Sequence, residues 1–223
     1  MSSRAEYSLT AILYETEASA MSRLNEIGVP MEALQRALAG GHAGRIGATD
    51  NDPPFIPGTM AWSYTVRTLR EELVPRGWRK SDPGNFSLVS NDKRRINVVV
   101  ASGDAMVRTI STPRTKSLKG IYTEAATVRN RIETDLFPDT LSDELRRVAS
   151  ILEFPTYFLL CHITDEEYRG ELSLPDAMED NQVVSWKERI FIPDSDDDFS
   201  GKTVDLSPNE FGPEIDIPVH RLG

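Results

Sequence analysis

The segment TYFLLCHI, residues 156–163, decides the fold class because it is apolar at both odd and even positions. A β-strand directs successive side chains to opposite faces, so such a run is typical of a central strand that is covered on both sides. Two segments follow closely, YRGELSL at 168–174 and VVSWKERIFI at 183–192, and in both of them apolar and polar residues alternate. The sequence therefore predicts three consecutive strands, of which the last two have one core face and one wet face.

Upstream of these strands the sequence predicts helices and a further pair of strands. The pair spans 86–90 and 94–101, with Asn91-Asp92 as the turn. Helical spacing of apolar residues predicts helices over 4–27, from Pro30 to Gly40-Gly41, and over 60–74, 123–136 and 141–152, with 103–120 irregular. This order indicates an α+β fold, with a mixed or mainly antiparallel sheet, helices on one face and a small N-terminal helical segment in front. No turn after a strand carries a Gly-rich phosphate fingerprint, which argues against a doubly wound nucleotide fold.

Composition shifts along the chain predict four units. Residues 40–58, GGHAGRIGATDNDPPFIPG, have no apolar period and are rich in turn-forming residues. We therefore expect a helical arm over 1–40, a linker over 41–59, an α+β core over 60–193 and an acidic tail over 194–223. The short apolar stretch near the end of that tail could add an edge strand.

The charge of the chain is distributed unevenly. The net charge is −10, but residues 60–131 carry +8 and residues 132–223 carry −15. Two interpretations stay open: the acidic block neutralises the basic block within the chain, or the basic block faces an outside anion.

The basic block supplies the candidate contacts to nucleic acid. Its loop Pro113–Gly120 combines lysines with hydroxyl residues, a composition that suits contact with phosphates. The candidate phosphate or nucleic-acid contacts are Arg79, Lys80, Arg94, Arg95, Arg114, Lys116 and Lys119. Binding through such residues is expected to weaken as salt rises.

The remaining composition predicts a cytoplasmic protein without cofactor or metal. No apolar run approaches the roughly 20 residues of a membrane-spanning helix, and the N-terminus has no signal-peptide pattern. The single cysteine, Cys161, cannot form an intrachain disulfide. It is followed by His162, but neighbouring strand residues point to opposite faces, which argues against a catalytic pair. His42 and His220 have no partners at metal-ligand spacing.

A divergent Mg²⁺-dependent nuclease is the alternative function. Asp104 follows a predicted strand, Glu171 lies on a later one, and Lys187 lies on the next. Carboxylates and a lysine at strand ends can bind Mg²⁺ and polarise water. However, Lys187 does not follow Glu171 at the spacing of the Glu-X-Lys element of restriction-type nucleases. We therefore predict no catalytic residues and no cofactor, with Mg²⁺ entering only under this alternative.

Acidic residues in the last third raise two further expectations. Strand alternation places Glu188 on the same face as Trp186 and Ile190, where a structural ion pair is the favoured interpretation. The acidic block could also act as an inhibitor that imitates nucleic acid, through the carboxylates of Asp194, Asp196, Asp197 and Asp198.

Several stretches resemble a family of uncharacterised bacterial proteins. They include Asn51-Asp-Pro-Pro, the Trp62 helix running into Gly77-Trp78, the strand ending in Ala101-Ser-Gly-Asp104, Thr115-Lys-Ser-Leu-Lys-Gly120, Glu171-Leu-Ser-Leu-Pro175, Trp186-Lys-Glu-Arg-Ile190 and Asp216-Ile-Pro-Val219. The resemblance covers most of residues 50–220 and is weakest over the N-terminal helices. It implies no catalytic residues, and it implies an association with mobile-element or phage-defence genes.

The sequence thus predicts a non-enzymatic component of a bacterial, phage-defence-related assembly. Its N-terminal helices would contact a protein partner, and its basic middle would contact DNA or RNA. No contact with a membrane is expected.

Overall fold

A computed structural model describes residues 11–131 and 141–195 of the chain. The strands of this part are Ile12–Tyr14 (β1), Arg79–Ser81 (β2), Leu88–Asn91 (β3), Ile96–Ser102 (β4), Thr156–Ile163 (β5), Tyr168–Glu179 (β6) and Gln182–Ile192 (β7). The α-helices are Glu17–Ile27 (α1), Met31–Ile46 (α2), Ile56–Leu73 (α3), Ile121–Arg131 (α4) and Asp143–Ile151 (α5). Residues 103–120, all of them described, form neither helix nor strand apart from one bridge between Gly103 and Thr115.

The strands form one mixed sheet in the order β1-β7-β6-β5-β4-β3-β2. β1 runs parallel to β7 and β4 runs parallel to β5, whereas the other neighbours are antiparallel. The central strand β5 has the predicted bounds, and it is buried from Thr156 to Cys161 because helices cover both of its faces. The predicted α+β class with a mixed sheet is confirmed.

Helices cover both faces of the sheet rather than the one face that we expected. Val98 and Leu159 point toward α1, α2 and α3 in a first core. Val99 and Phe158, their neighbours along the same strands, point toward α4 and α5 in a second core. The alternation of β4 and β5 thus needs an apolar layer on each side.

The N-terminal helices pack on the sheet, since Leu24 of α1 and Leu34 of α2 belong to the first core. Thr16 caps α1 in a capping box with Ser19. The residues just before this helix form β1 instead of extending the helix, and residues 1–10 lie outside the described part. The end predicted for the second helix at Gly40-Gly41 is wrong, because α2 continues to Ile46 and so takes up the start of the expected linker.

Several other expectations fall on residues outside the described part. These are the end of the helix predicted over 123–136, most of the acidic tail and its edge strand. Within the described residues, no helix is both long and apolar enough to cross a membrane.

Candidate functional site

A cleft of about 900 Å³ opens where the parallel strands β4 and β5 end. β3 pairs with β4 only over Ile96 to Val99, so the last three residues of β4 have no partner in β3. The edge of β4 at 100–102, which β3 leaves unpaired, is the floor of this β4 cleft. Its sides are α3 on one face of the sheet, and the 83–87 turn with the start of α4 on the other. Crevices of this kind, beyond the carboxyl ends of parallel strands, are common ligand sites.

Aromatic side chains form much of the wall. Trp62 of α3 is 38% exposed, and its indole N–H donates to the Val100 carbonyl at 3.3 Å. Phe86 and Tyr122 stack with ring centroids 5.8 Å apart. Trp62 shares the apolar stripe of its helix with Val66, Leu69 and Leu73, which are buried, and helical spacing alone would place it in the core as well. Its exposure arises because the shorter β3 leaves the adjacent edge of β4 uncovered.

The charged side chains of the cleft are basic. Arg45, Lys116 and Lys119 line it together with His162, and no carboxylate of the described residues does. Arg45 is paired with Asp165, its Nε lying 2.8 Å from a carboxylate oxygen. Lys116 and Lys119 have no carboxylate within 4.0 Å in the described part of the chain.

Lys119 is the more enclosed of the two lysines. Its ammonium group donates to the Ser117 hydroxyl at 3.2 Å. Burial lowers the pKa of Lys119 because the ammonium loses part of its hydration, and no described anion offsets that loss. A desolvated cation without a counter-ion is suited to receive an anion from outside.

The loop that carries both lysines is anchored, although it was predicted as irregular. The Thr115 amide donates to the Val183 carbonyl and the Lys119 amide to the Asn181 carbonyl, while the Lys116 amide donates to Ser102 at 2.8 Å. The indole of Trp186 also donates to the Pro113 carbonyl at 2.8 Å. The basic groups are therefore presented from a backbone that is fixed to β7 and β4.

The other predicted contacts lie elsewhere. Arg94 and Arg95 occupy the β3–β4 turn at the opposite end of β4, roughly 20 Å away for seven residues at about 3.3 Å each. Neither has a carboxylate within 4.0 Å in the described residues. Arg94 packs against Gly28, and the guanidinium of Arg95 lies 5.2 Å from the centroid of the Phe154 ring.

The three remaining candidates differ in their surroundings. Arg79 and Lys80 lie on the edge strand β2 and are exposed. Arg79 is bound to Asp92 at 3.3 Å and lies 3.9 Å from Glu153, so acidic groups partly neutralise it. The Arg114 amide donates to Asp104, and its side chain is exposed.

Each group of the nuclease alternative is held by structural contacts. Asp104 accepts from the amides of Met106 and Arg114 and so closes the turn after β4. Glu171 is buried in a bidentate pair with Arg189, at 2.6 and 2.8 Å. Lys187 donates to the Asn130 carbonyl at 2.7 Å. Within the described residues, no three His, Cys, Asp or Glu side chains are grouped so that they could hold a metal ion.

Glu188 forms the expected ion pair, but on the other face of the sheet. Its carboxylate accepts from Arg23 at 3.0 Å and from the Tyr157 hydroxyl, which belongs to the first core. Trp186 belongs to the second core. The expectation that Glu188 and Trp186 share a face is therefore wrong. Register shifts opposite Pro175 create a bulge in the pairing of β6 with β7, and this bulge breaks the alternation of side chains along β7.

The remaining expectations concern Cys161 and the acidic tail. Cys161 is buried, and burial raises the pKa of its thiol, so it has the character of a core side chain. Asp194 is bound by Arg108 at 2.8 Å. Asp196, Asp197 and Asp198 lie outside the described residues.

Comparison of the chain with protein-family models, curated proteins and solved structures found no match.

Proposed function

We propose that the protein is a non-enzymatic, nucleic-acid-binding component of a protein assembly. The observation that carries this proposal is the charge of the β4 cleft, which is lined by Lys116 and Lys119 and by no carboxylate of the described residues. Phosphates are the anions that such lysines bind in nucleic acids, as point charges that fix a strand in position.

The overall charge of −10 does not argue against this proposal. At physiological salt, exposed charges are screened beyond roughly 8 Å, so a bound phosphate responds mainly to its nearest groups. No carboxylate of the described residues lies within 4.0 Å of Lys116 or Lys119, although Glu124 and Asp180 line a smaller neighbouring pocket that includes Lys119. The anionic remainder of the chain would slow association from a distance and would restrict binding to this region.

A second group of cations supports contact with an extended strand. Arg94 and Arg95 lie in the β3–β4 turn, at the end of β4 opposite the cleft, and Lys80 lies on the edge strand β2. Side chains at both ends of β4, roughly 20 Å apart, would then contact different phosphates of one strand.

The contacts of the candidate catalytic groups support a non-enzymatic role. All described polar partners of Glu171 hold it in the core, and the Cys161 thiol is both buried and difficult to ionise. A protein of this kind would act by bringing a partner and a nucleic acid together. The partner would be a protein, and the fold leaves the outer surfaces of α1 and α5 for it.

Binding is tested by fluorescence polarisation with labelled DNA and RNA between 50 and about 300 mM salt, with Lys116→Glu as the variant. Arg147→Glu is the matched control, since Arg147 is also exposed but lies on α5 and does not line the cleft. Loss of one phosphate contact should weaken binding and make the slope of log K against log salt shallower by about 1, whereas the control should change neither.

Two results would overturn the proposal. One is the lack of binding to any DNA or RNA at the lowest salt, because the proposal names nucleic acid as a ligand. The other is an equal effect of Lys116→Glu and Arg147→Glu on affinity, which would show that binding depends on the net charge of the protein and not on the cleft.

A further inference from the structure

The aromatic walls of the β4 cleft indicate more about its ligand than the charge of the cleft does. A protein that binds only the phosphates of a duplex needs cations on an open surface, and base stacking plays no part. Here the cations border a concave site with aromatic walls from two helices, α3 and α4, and from the turn between β2 and β3. Such a site fits a ligand that has both a flat apolar face and a phosphate.

Trp62 is held ready for stacking. Its N–H is already satisfied by the Val100 carbonyl, which fixes the orientation of the indole, and 38% of the residue remains exposed. Further exposed apolar surface at the cleft comes from Phe55, which is 67% exposed. Large exposed aromatic groups beside cations are the pattern by which proteins bind unpaired bases.

Tyr122 and Phe86 are fixed on the other side. The Tyr122 ring covers Gly84 so closely that a Cβ at position 84 would lie 2.2 Å from it. Gly84 also has a positive φ of 54°, which a larger residue tolerates poorly. Because position 84 is a glycine, the ring of Tyr122 has room to stack on Phe86 at the wall of the cleft.

The size of the cleft agrees with a ligand of one nucleotide. Its volume of about 900 Å³ lies within the range of pockets that enclose small organic ligands. In a duplex the faces of the bases are covered by their neighbours, so only an unpaired base can offer a face to Trp62 or Tyr122.

We infer that the β4 cleft binds an unpaired nucleotide of single-stranded nucleic acid, with its base against the aromatic wall and its phosphate at Lys116 and Lys119. This inference rests on the proposed function, and it names the form of nucleic acid that the site takes.

Tryptophan emission offers a direct readout. The chain has three tryptophans, and Trp78 and Trp186 are 5% and 1% exposed, so a ligand that stacks in the cleft quenches Trp62. The ligands are the single strand dT12, the duplex dT12·dA12 and the mononucleotide dTMP, all at equal salt. We expect dT12 to bind at least about tenfold more tightly than the duplex and to quench the emission.

Two variants separate stacking from charge. Trp62→Leu should lose about tenfold in affinity for dT12 and abolish the quenching, while its salt slope stays unchanged because the phosphate contacts remain. Trp62→Phe keeps an aromatic ring and should retain most of the affinity, which also controls for folding. Trp78→Phe is the matched control in the core and should leave the quenching intact.

Several outcomes would overturn the inference. If the duplex binds as tightly as dT12, the inference that the cleft takes an unpaired base is refuted, whereas the proposed function is still supported. Quenching by dTMP at the same concentration as by dT12 would assign the cleft to a free nucleotide. Binding of dT12 without quenching would place the strand outside the cleft, and failure of both nucleic acids to bind would defeat the proposed function itself.

Discussion

The buried pair of Glu171 and Arg189 gives the sharpest test of how the sheet is held. Both side chains are at most 3% exposed. The guanidinium donates twice to Glu171 and also to the carbonyls of Ser111 and Thr109, each at 3.0 Å. Arg189→Met would leave a buried carboxylate without its counter-ion and two carbonyls without their donor.

The expected cost of Arg189→Met is about 3–5 kcal/mol in the free energy of unfolding, the usual range when one partner of a buried pair is removed. For a chain of this length that corresponds to a fall in Tm of roughly 6–20 °C, at about 2–4 °C per kcal/mol. Urea unfolding followed by circular dichroism measures it. The double variant Glu171→Leu/Arg189→Met removes both charges and should recover much of the loss.

Arg79→Met is the matched control, because Arg79 and its partner Asp92 are both more than half exposed. Its cost should stay below about 1 kcal/mol. A cost below that value for Arg189→Met, or no recovery in the double variant, would refute the assignment of Glu171 to the core. In that case Glu171 would again be a candidate Mg²⁺ ligand under the nuclease alternative.

Two further predictions concern the cleft and the helix packing. Because burial lowers the pKa of Lys119, its ammonium deprotonates below the usual 10.5, so affinity for dT12 should fall as pH rises toward that value and Lys119→Arg should flatten the fall. A lowered pKa also means that the charged form of Lys119 destabilises the folded state at neutral pH. The Lys119→Met variant should therefore bind dT12 more weakly, with a Tm at pH 7 that is unchanged or raised. A marked fall in Tm would contradict this prediction. Gly41→Ala should cost about 1–3 kcal/mol in urea unfolding, since its Cβ would lie 2.0 Å from the Thr65 hydroxyl and 3.0 Å from a backbone carbonyl. Gly58→Ala, also helical but with open space at its Cβ, should instead be neutral or stabilising, and similar effects of the two would show that close helix packing is not the cause.

The fold class could be predicted because the decisive signals are local. The run at 157–161 is apolar on both faces of a strand, and the stripe of Trp62, Val66, Leu69 and Leu73 repeats at helical spacing. Both patterns act within a few residues of the chain. The strand bounds of β5 and most of α3 follow from them.

Elements that depend on distant contacts were not predicted. Gly40 and Gly41 are typical of a helix end, but they lie inside α2 because Thr68 and Thr65 of α3 approach their α-carbons too closely for a side chain. β1 has three residues and exists through its pairing with β7, which lies more than 170 residues further along the chain. No property of the sequence near either site indicates these partners.

The candidate site divides in the same way. Lys116 and Lys119 were predicted from the composition of their own loop, whereas the aromatic wall was not predicted. Trp62 and Tyr122 lie 60 residues apart, and the sheet brings their helices to one cleft. The exposure of Trp62 depends on where β3 stops, which only the register of the hairpin determines.

The cleft and the strand order have a common cause. Parallel strands need a crossover, and the chain from β4 to β5 passes through α4 and α5 on one face, while α3 covers the other face. Two helix layers that begin on opposite faces leave the carboxyl end of the parallel pair open between them. Lys116 and Lys119 reach this gap from the 103–120 loop, whose side chains contribute little to either core. The rings of Trp62 and Tyr122 reach it from α3 and α4, which both contribute to the cores. Substitutions in the loop should therefore change affinity and salt dependence with little effect on stability, whereas substitutions of the rings should change both.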